Sequence, residues 1–169
     1  GSRNPSGQLL WPYKGRPFKM GSLELMPLHT PGHTDNHFAY LHEARLYSGD
    51  ALLIDACGRT DFQNGDASAL YHSVRGKLFA LDDDTLVYPA HDYEQRRIST
   101  IGQEKARNPR LGGERTLDDF IKLMGELKLA YPKFIDYAVP GNRECGVCPP
   151  GVPDHLQTYC VQMSESRQG

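Results

Sequence analysis

The chain has 169 residues with a formal charge of −2, Lys and Arg numbering 19 against 21 Asp and Glu, which fits one ordinary domain able to bury roughly 70% of its unfolded surface. The charges are interspersed and no basic stripe alternates with aromatics, so nucleic acid is excluded as a partner. No apolar run approaches the roughly 20 residues that a bilayer needs, and the opening Gly1-Ser2-Arg3-Asn4-Pro5 has no signal-peptide core, so the chain reads as soluble and cytosolic.

Residues 1–17 are polar and turn-rich, an exposed lead-in. From Phe18 the pattern changes: Leu23, Leu25 and Leu28 alternate with other residues and stop at Thr30-Pro31-Gly32, which predicts a strand that delivers its end to a turn bearing His33. His37 to Leu41 and Arg45 to Ser48 form a hairpin-like pair that ends at Gly49-Asp50. Leu70, Tyr71, Val74, Leu78 and Phe79 then mark one face of a helix over 68–80, with Asp66 or Ser68 as its cap. Asp82-Asp83-Asp84 turns the chain into a short strand, Thr85 to Tyr88, that stops at Pro89 and presents His91.

A helix from about Ile98 to Arg107 is expected to end before Pro109, and Thr116-Leu117-Asp118-Asp119 is a capping signal for a helix carrying Phe120, Ile121, Met124 and Leu127. Phe134 to Val139 reads as a short extended run. The remainder, rich in Pro and Gly, reads as irregular, with residues 148–169 as a tail. The four cysteines, Cys57, Cys145, Cys148 and Cys160, lack disulfide-framework spacing. Cys145-Gly146-Val147-Cys148 satisfies C-x-x-C without a second half, so unpaired thiols are the simpler reading.

Three residues of metal-ligating type thus stand at strand ends: His33, Asp50 and His91. Pro and Gly around them set tight bends, the backbone that a preorganised site needs. The plainer alternatives are a helix cap for His33 and an Asx turn for Asp50. Strands ending in His and Asp, interleaved with helices, describe an α/β scaffold with a loop-borne site along one sheet edge.

Thr30-Pro31-Gly32-His33-Thr34, Ser48-Gly49-Asp50-Ala51-Leu52, Cys57-Gly58-Arg59-Thr60-Asp61-Phe62 and Tyr88-Pro89-Ala90-His91-Asp92-Tyr93, with Asn108-Pro109-Arg110-Leu111, together resemble the metallo-β-lactamase superfamily, and within it the persulfide dioxygenase (sulfur dioxygenase) family. The resemblance implies an αββα sandwich, of which residues 18–147 look like the C-terminal portion. It also implies a mononuclear Fe(II) held by two histidines and an aspartate, with His33 and Asp50 as two of the three ligands and open positions left for O₂ and substrate. The family's remaining histidine lies in an H-x-H-x-D-H string that this sequence does not contain, so the resemblance implies that an N-terminal segment supplies it.

By the same resemblance the substrate is glutathione persulfide, oxidised to sulfite and glutathione in sulfide-detoxifying sulfur metabolism. His91 stands beside the iron without ligating it. Arg59 and Tyr93 contact the substrate, and Arg107 and Arg110 hold glutathione carboxylates; surface solvation, core packing and a charged helix end are the respective plain alternatives. A homodimer is the family expectation, as is the mitochondrial matrix if the protein is eukaryotic. A hydroxyacylglutathione hydrolase with two metals, His91 then being a ligand, is the second reading. A non-catalytic half-domain that binds a ligand or a partner chain is the third.

Overall fold

The computed structural model describes residues 16–143 and 150–157. Cys145, Cys148 and Cys160, the Cys145-Gly146-Val147 end of the resemblance and most of both terminal segments lie outside the described residues. Two compact units form, Gly1–Leu127 and Lys128–Gly169.

The first unit is built on a six-stranded sheet in the order β1-β2-β3-β4-β5-β6: Phe18–Met20, Leu23–His29, Phe38–His42, Arg45–Gly49, Leu86–Pro89 and Ser99–Thr100. Strand β2 runs antiparallel to β3, β3 antiparallel to β4, and β4 parallel to β5. Two reversals restore direction, so β2, β4 and β5 all point the same way. Their C-terminal ends share one rim of the sheet, and those ends are where His33, Asp50 and His91 follow.

The alternation of side chains decides what each face does. Ala39, Leu46 and Val87, from three adjacent strands, are fully buried against helical Leu70, Val74, Leu78, Ile101, Phe120 and Met124. The opposite face carries Tyr47 stacked on Tyr88, centroids 5.5 Å apart, and Phe18 edge-on to Tyr40 at 6.0 Å. Met20, Leu23 and Tyr47 on that face are exposed.

The first predicted helix forms in two parts. Helix α1, Ala67–Ser73, starts at Asp66, whose carboxylate accepts the Ala69 N–H at 2.6 Å. It then widens into a π-helical turn, Val74–Leu78, closed by the Phe79 N–H on the Val74 carbonyl at 2.8 Å. Leu70, Val74 and Leu78 all reach zero exposure on the face expected of the helix, and the wider turn falls between the last two.

Helix α2, Ile101–Arg107, is shorter than expected because Ser99 and Thr100 pair with β5 instead, and Thr100 caps the helix through the Gln103 N–H. Helix α3, Leu117–Glu126, starts at Thr116 as predicted, its hydroxyl oxygen accepting the Asp119 N–H at 3.2 Å.

The second unit corrects two expectations. Phe134 to Val139 is not extended: helix α4 spans Ile135–Arg143, its first turn set by the Ile135 N–H on Pro132 and the Ala138 N–H on Phe134. Phe134, Tyr137 and Ala138 fit i, i+3, i+4 while Ile135, Tyr137 and Val139 fit alternation, and the local turn at Pro132 accompanies the helical outcome. The tail is not wholly irregular either, since a helical turn occupies residues 154–157. Among the described residues, no helix is long and apolar enough to cross a membrane.

Candidate metal centre

The turn after β2 can hold His33 only with glycine before it. Gly32 has φ +135° and its missing Cβ would stand 2.3 Å from the Leu70 Cα, so α1 packs directly on the loop backbone. The Ser73 hydroxyl on the Pro31 carbonyl at 2.8 Å and the Asp66 N–H on the Gly32 carbonyl at 2.8 Å complete the clamp. His33 Nδ1 lies 2.7 Å from the Arg59 carbonyl. A carbonyl only accepts, so Nδ1 carries a proton, and in the neutral ring Nε2 then keeps its lone pair.

That lone pair faces Asp50, with Nε2 3.7 Å from Oδ2. Asp50 follows Gly49, which takes φ +57°, and three backbone contacts hold the turn: the Ala90 N–H on Gly49 O at 3.0 Å, the Ala51 N–H on Ser48 O at 3.2 Å and the Gly58 N–H on Asp50 O at 2.8 Å. The other carboxylate oxygen, Oδ1, meets His91 Nδ1 at 2.6 Å. Asp50 therefore sits between two histidines, one on each oxygen.

The donor chemistry fits a metal in part. Two metal–ligand bonds of about 2.1 Å can span the 3.7 Å between His33 Nε2 and Asp50 Oδ2, and the backbone-anchored Nδ1–H is the outer contact that metal-bound histidines characteristically make. Among the described residues no group of three His, Cys, Asp or Glu side chains forms a complete ligand set.

Around this centre the expected substrate contacts occupy varied positions. Arg59 contributes its backbone to His33, while its guanidinium forks onto Asp61 with two 2.7 Å hydrogen bonds and lies 4.4 Å from the Phe62 ring centroid. Those hydrogen bonds hold the Asp61 carboxyl below its usual range. Tyr93 is 85% exposed, its ring nearly parallel to His91 with centroids 6.2 Å apart. Arg107 reaches Asp55 at 3.1 Å. Arg110 donates to the Cys57 carbonyl at 2.7 Å, so the structure gives it a bracing contact on the loop that follows Asp50. His72 lies on α1 and is exposed.

Glu104 lies outside every motif string, whereas Asn108 and Asp92 lie inside them without a role that the sequence assigns. Glu104, at zero exposure, accepts the Asp55 N–H at 2.9 Å, the Ser99 hydroxyl at 2.5 Å and Asn108 Nδ2 at 2.8 Å. Asn108 also donates to the Ala56 carbonyl at 3.1 Å and accepts the Leu111 N–H at 3.1 Å. Glu104 on α2 and Asn108 at its C-cap stand four residues apart, the spacing that brings the two side chains together. Asp92, next to His91, accepts from the backbone N–H groups of Arg96 and Arg97 and from the Arg96 guanidinium, which also meets Asp55 at 2.5 Å. His37 is held below its ordinary pKa by burial and by neighbouring His33, with Asp50 and Thr30 offsetting part.

Cys57 is buried beneath the site with Sγ 3.9 Å from Met124 Sδ, and burial pushes its thiol up to about 11, the Arg110 charge opposing. A folded pKa above the ordinary 9.0 means that the neutral thiol favours the fold below about pH 9, and that this contribution disappears as pH rises through 11. Between pH 9 and 11 the unfolding free energy of the wild type should fall by about 2 kcal/mol more than that of Cys57→Ala, read from urea melts at each pH.

The metallo-beta-lactamase superfamily model matches residues 1–91. The chain is 45% identical over 138 residues to human "Persulfide dioxygenase ETHE1, mitochondrial", covering 80% of this chain and 54% of that protein. It is 38% identical over 103 residues to the hydroxyacylglutathione hydrolase GloC of Haemophilus influenzae, covering 60% and 47%. The crystal structure of ETHE1 from Myxococcus xanthus superposes with a TM-score of 0.76 at 51% identity, covering 78% of this chain and 58% of that one. The chain spans about half the length of the curated relatives it matches. With more than half of its residues inside the family model, the chain belongs to the metallo-beta-lactamase superfamily.

Proposed function

We propose that this chain carries part of the active site of an iron-dependent persulfide dioxygenase, which oxidises glutathione persulfide with O₂ and water to glutathione and sulfite. The observation that carries the reading is the facing pair His33 Nε2 and Asp50 Oδ2, each set by backbone contacts, in a chain 41–45% identical to three mammalian persulfide dioxygenases. His33 and Asp50 would hold a single Fe(II) together with one further histidine. When bound, the iron supplies redox access to O₂ and to the substrate's sulfur.

The chain's own residues do the rest. The Arg59 carbonyl keeps His33 in the tautomer that leaves Nε2 available. His91 hydrogen-bonds Asp50 Oδ1 and so fixes the carboxylate's rotation, leaving Oδ2 turned toward His33. Arg59, released from Asp61, offers a planar cationic fork to an anionic group of glutathione, and exposed Tyr93 offers a hydroxyl beside His91. Arg107 and Arg110 add positive charge on the same flank, their present partners being Asp55 and Cys57. For a eukaryotic protein the same reading includes a mitochondrial matrix location, supported as far as the mitochondrion by the names of the mammalian relatives.

The test is metal content and oxygen uptake with glutathione persulfide. The expected result is one iron per protein, with His33→Ala and Asp50→Ala each losing the metal and lowering oxygen uptake by more than about 100-fold, beyond the usual effect of an outer contact. Two metals per protein with thioester cleavage and no oxygen uptake would favour the hydrolase, to which the GloC similarity also points.

A further inference from the structure

One side chain ties together the two turns that carry His33 and Asp50. His37 closes the first of them through its backbone, its carbonyl accepting the Thr30 N–H at 2.9 Å. Its ring then bonds on both sides: Nε2 accepts the Asp50 N–H at 3.2 Å, and Nδ1 lies 2.8 Å from Thr30 Oγ1. A backbone N–H can only donate, so Nε2 carries the lone pair and the proton belongs to Nδ1. The sequence of donors continues without a conflict, since the Thr30 hydroxyl, in a fully buried residue, passes its own hydrogen to the Leu28 carbonyl at 3.4 Å. The ring is seated against the Gly49 backbone, where an added Cβ would stand 2.5 Å from Nε2.

We propose that His37 is a positioning residue for the metal centre: as its Nδ1–H tautomer it fastens the Asp50 amide to the His33 loop and thereby sets the aim of the Asp50 carboxylate. The role follows from the relay Asp50 N–H to His37 to Thr30 to Leu28. The consequence for metal binding rests on the reading of His33 and Asp50 as ligands, whereas the hydrogen-bond relay stands without it.

Glutamine and asparagine separate the two ring nitrogens. Gln places its carbonyl oxygen near the position of Nε2 and can still accept the Asp50 N–H; Asn reaches only the position of Nδ1. In the full-length protein, amide exchange at Asp50 is followed by NMR before metal is added, and Fe(II) affinity by competition titration, for His37→Gln, His37→Asn and His37→Ala.

His37→Gln is expected to keep Asp50 protected and Fe(II) affinity within about threefold of wild type, while Asn and Ala lose the protection and weaken Fe(II) binding by about 10-fold or more. Long-range nitrogen–proton spectra of the wild-type ring, which need no variant, should show a protonated Nδ1 and a bare Nε2. An Nε2–H ring, or equal Asp50 exchange in wild type, Asn and Ala, overturns the proposal. So does unchanged Fe(II) affinity in Asn and Ala when His33→Ala and Asp50→Ala abolish binding. If those two leave the metal bound, the ligand assignment is what falls.

Discussion

Gly58→Ala is expected to disturb both proposed ligands, His33 and Asp50, at once and to lower metal affinity by about 10–100-fold or more. A Cβ at this position would stand 2.4 Å from the Asp50 carbonyl oxygen, 2.9 Å from His33 Nδ1 and 3.0 Å from His33 Cγ. One of those neighbours is backbone and the other is the ring of His33, a proposed ligand, which is itself pinned to the next residue's carbonyl. Neither can move without breaking the Gly58 N–H bond to Asp50 or the His33 bond to Arg59.

Overpacking of this kind costs about 1–3 kcal/mol in stability, so the variant should still fold, with the larger loss in metal content measured after purification and in oxygen uptake. Gly125→Ala is the contrasting control. That glycine lies within α3 with open space around it, and alanine there should raise stability by about 0.5–1 kcal/mol and leave metal binding unchanged. Equal metal affinity in wild type and Gly58→Ala would refute the brace.

Glu104→Ala is expected to have the largest effect on stability. The substitution deletes the acceptor for the Asp55 N–H and one partner each of Ser99 and Asn108, and it opens a cavity at a position with no solvent exposure. Lost hydrogen bonds to a buried carboxylate and the cavity together cost about 3–5 kcal/mol, a fall of roughly 10 °C in Tm for a chain of this size. Glu104→Gln keeps the volume and one acceptor oxygen and should cost about 1–2 kcal/mol. Thermal melts of the two variants, side by side, separate the polar hub from simple filling of space; a Glu104→Gln melt identical to wild type would rule out a specific role for the second oxygen. Because Asn108 also holds the Ala56 carbonyl, the loop leading to Gly58 should loosen in Glu104→Ala and metal affinity should decline with it.

The parts of this protein that were legible in the sequence share a physical cause: they are specified by neighbours along the chain. Thr116 and Asp66 announce helix starts because a cap needs only its own first turn. The turns at Pro31-Gly32 and Gly49 can be read because φ restrictions are local, and the strand ends followed from them.

The rest depended on partners distant in sequence. Whether Arg59 faces a substrate or Asp61 is a matter of side-chain pairing, and alternation alone could not foresee that its carbonyl, not its guanidinium, serves His33. The π-helical turn over Val74–Leu78 leaves no mark in the sequence, because the same apolar face suits an α-helix equally well. His37 looked ordinary because its two hydrogen-bonding partners, Thr30 and Asp50, lie on different turns. The run after Pro132 satisfied two periodicities at once, so its pattern alone did not choose between them.

The parallel alignment of β2, β4 and β5 separates two kinds of inheritance. Side chains at the strand middles, Ala39, Leu46 and Val87 among them, answer to packing, whereas those just past the strand ends answer to chemistry. A lineage could therefore exchange one reaction for another by rewriting a few turn residues along a single rim. The melting temperature would barely register the change, and a collection of such relatives would diverge in activity long before it diverged in shape.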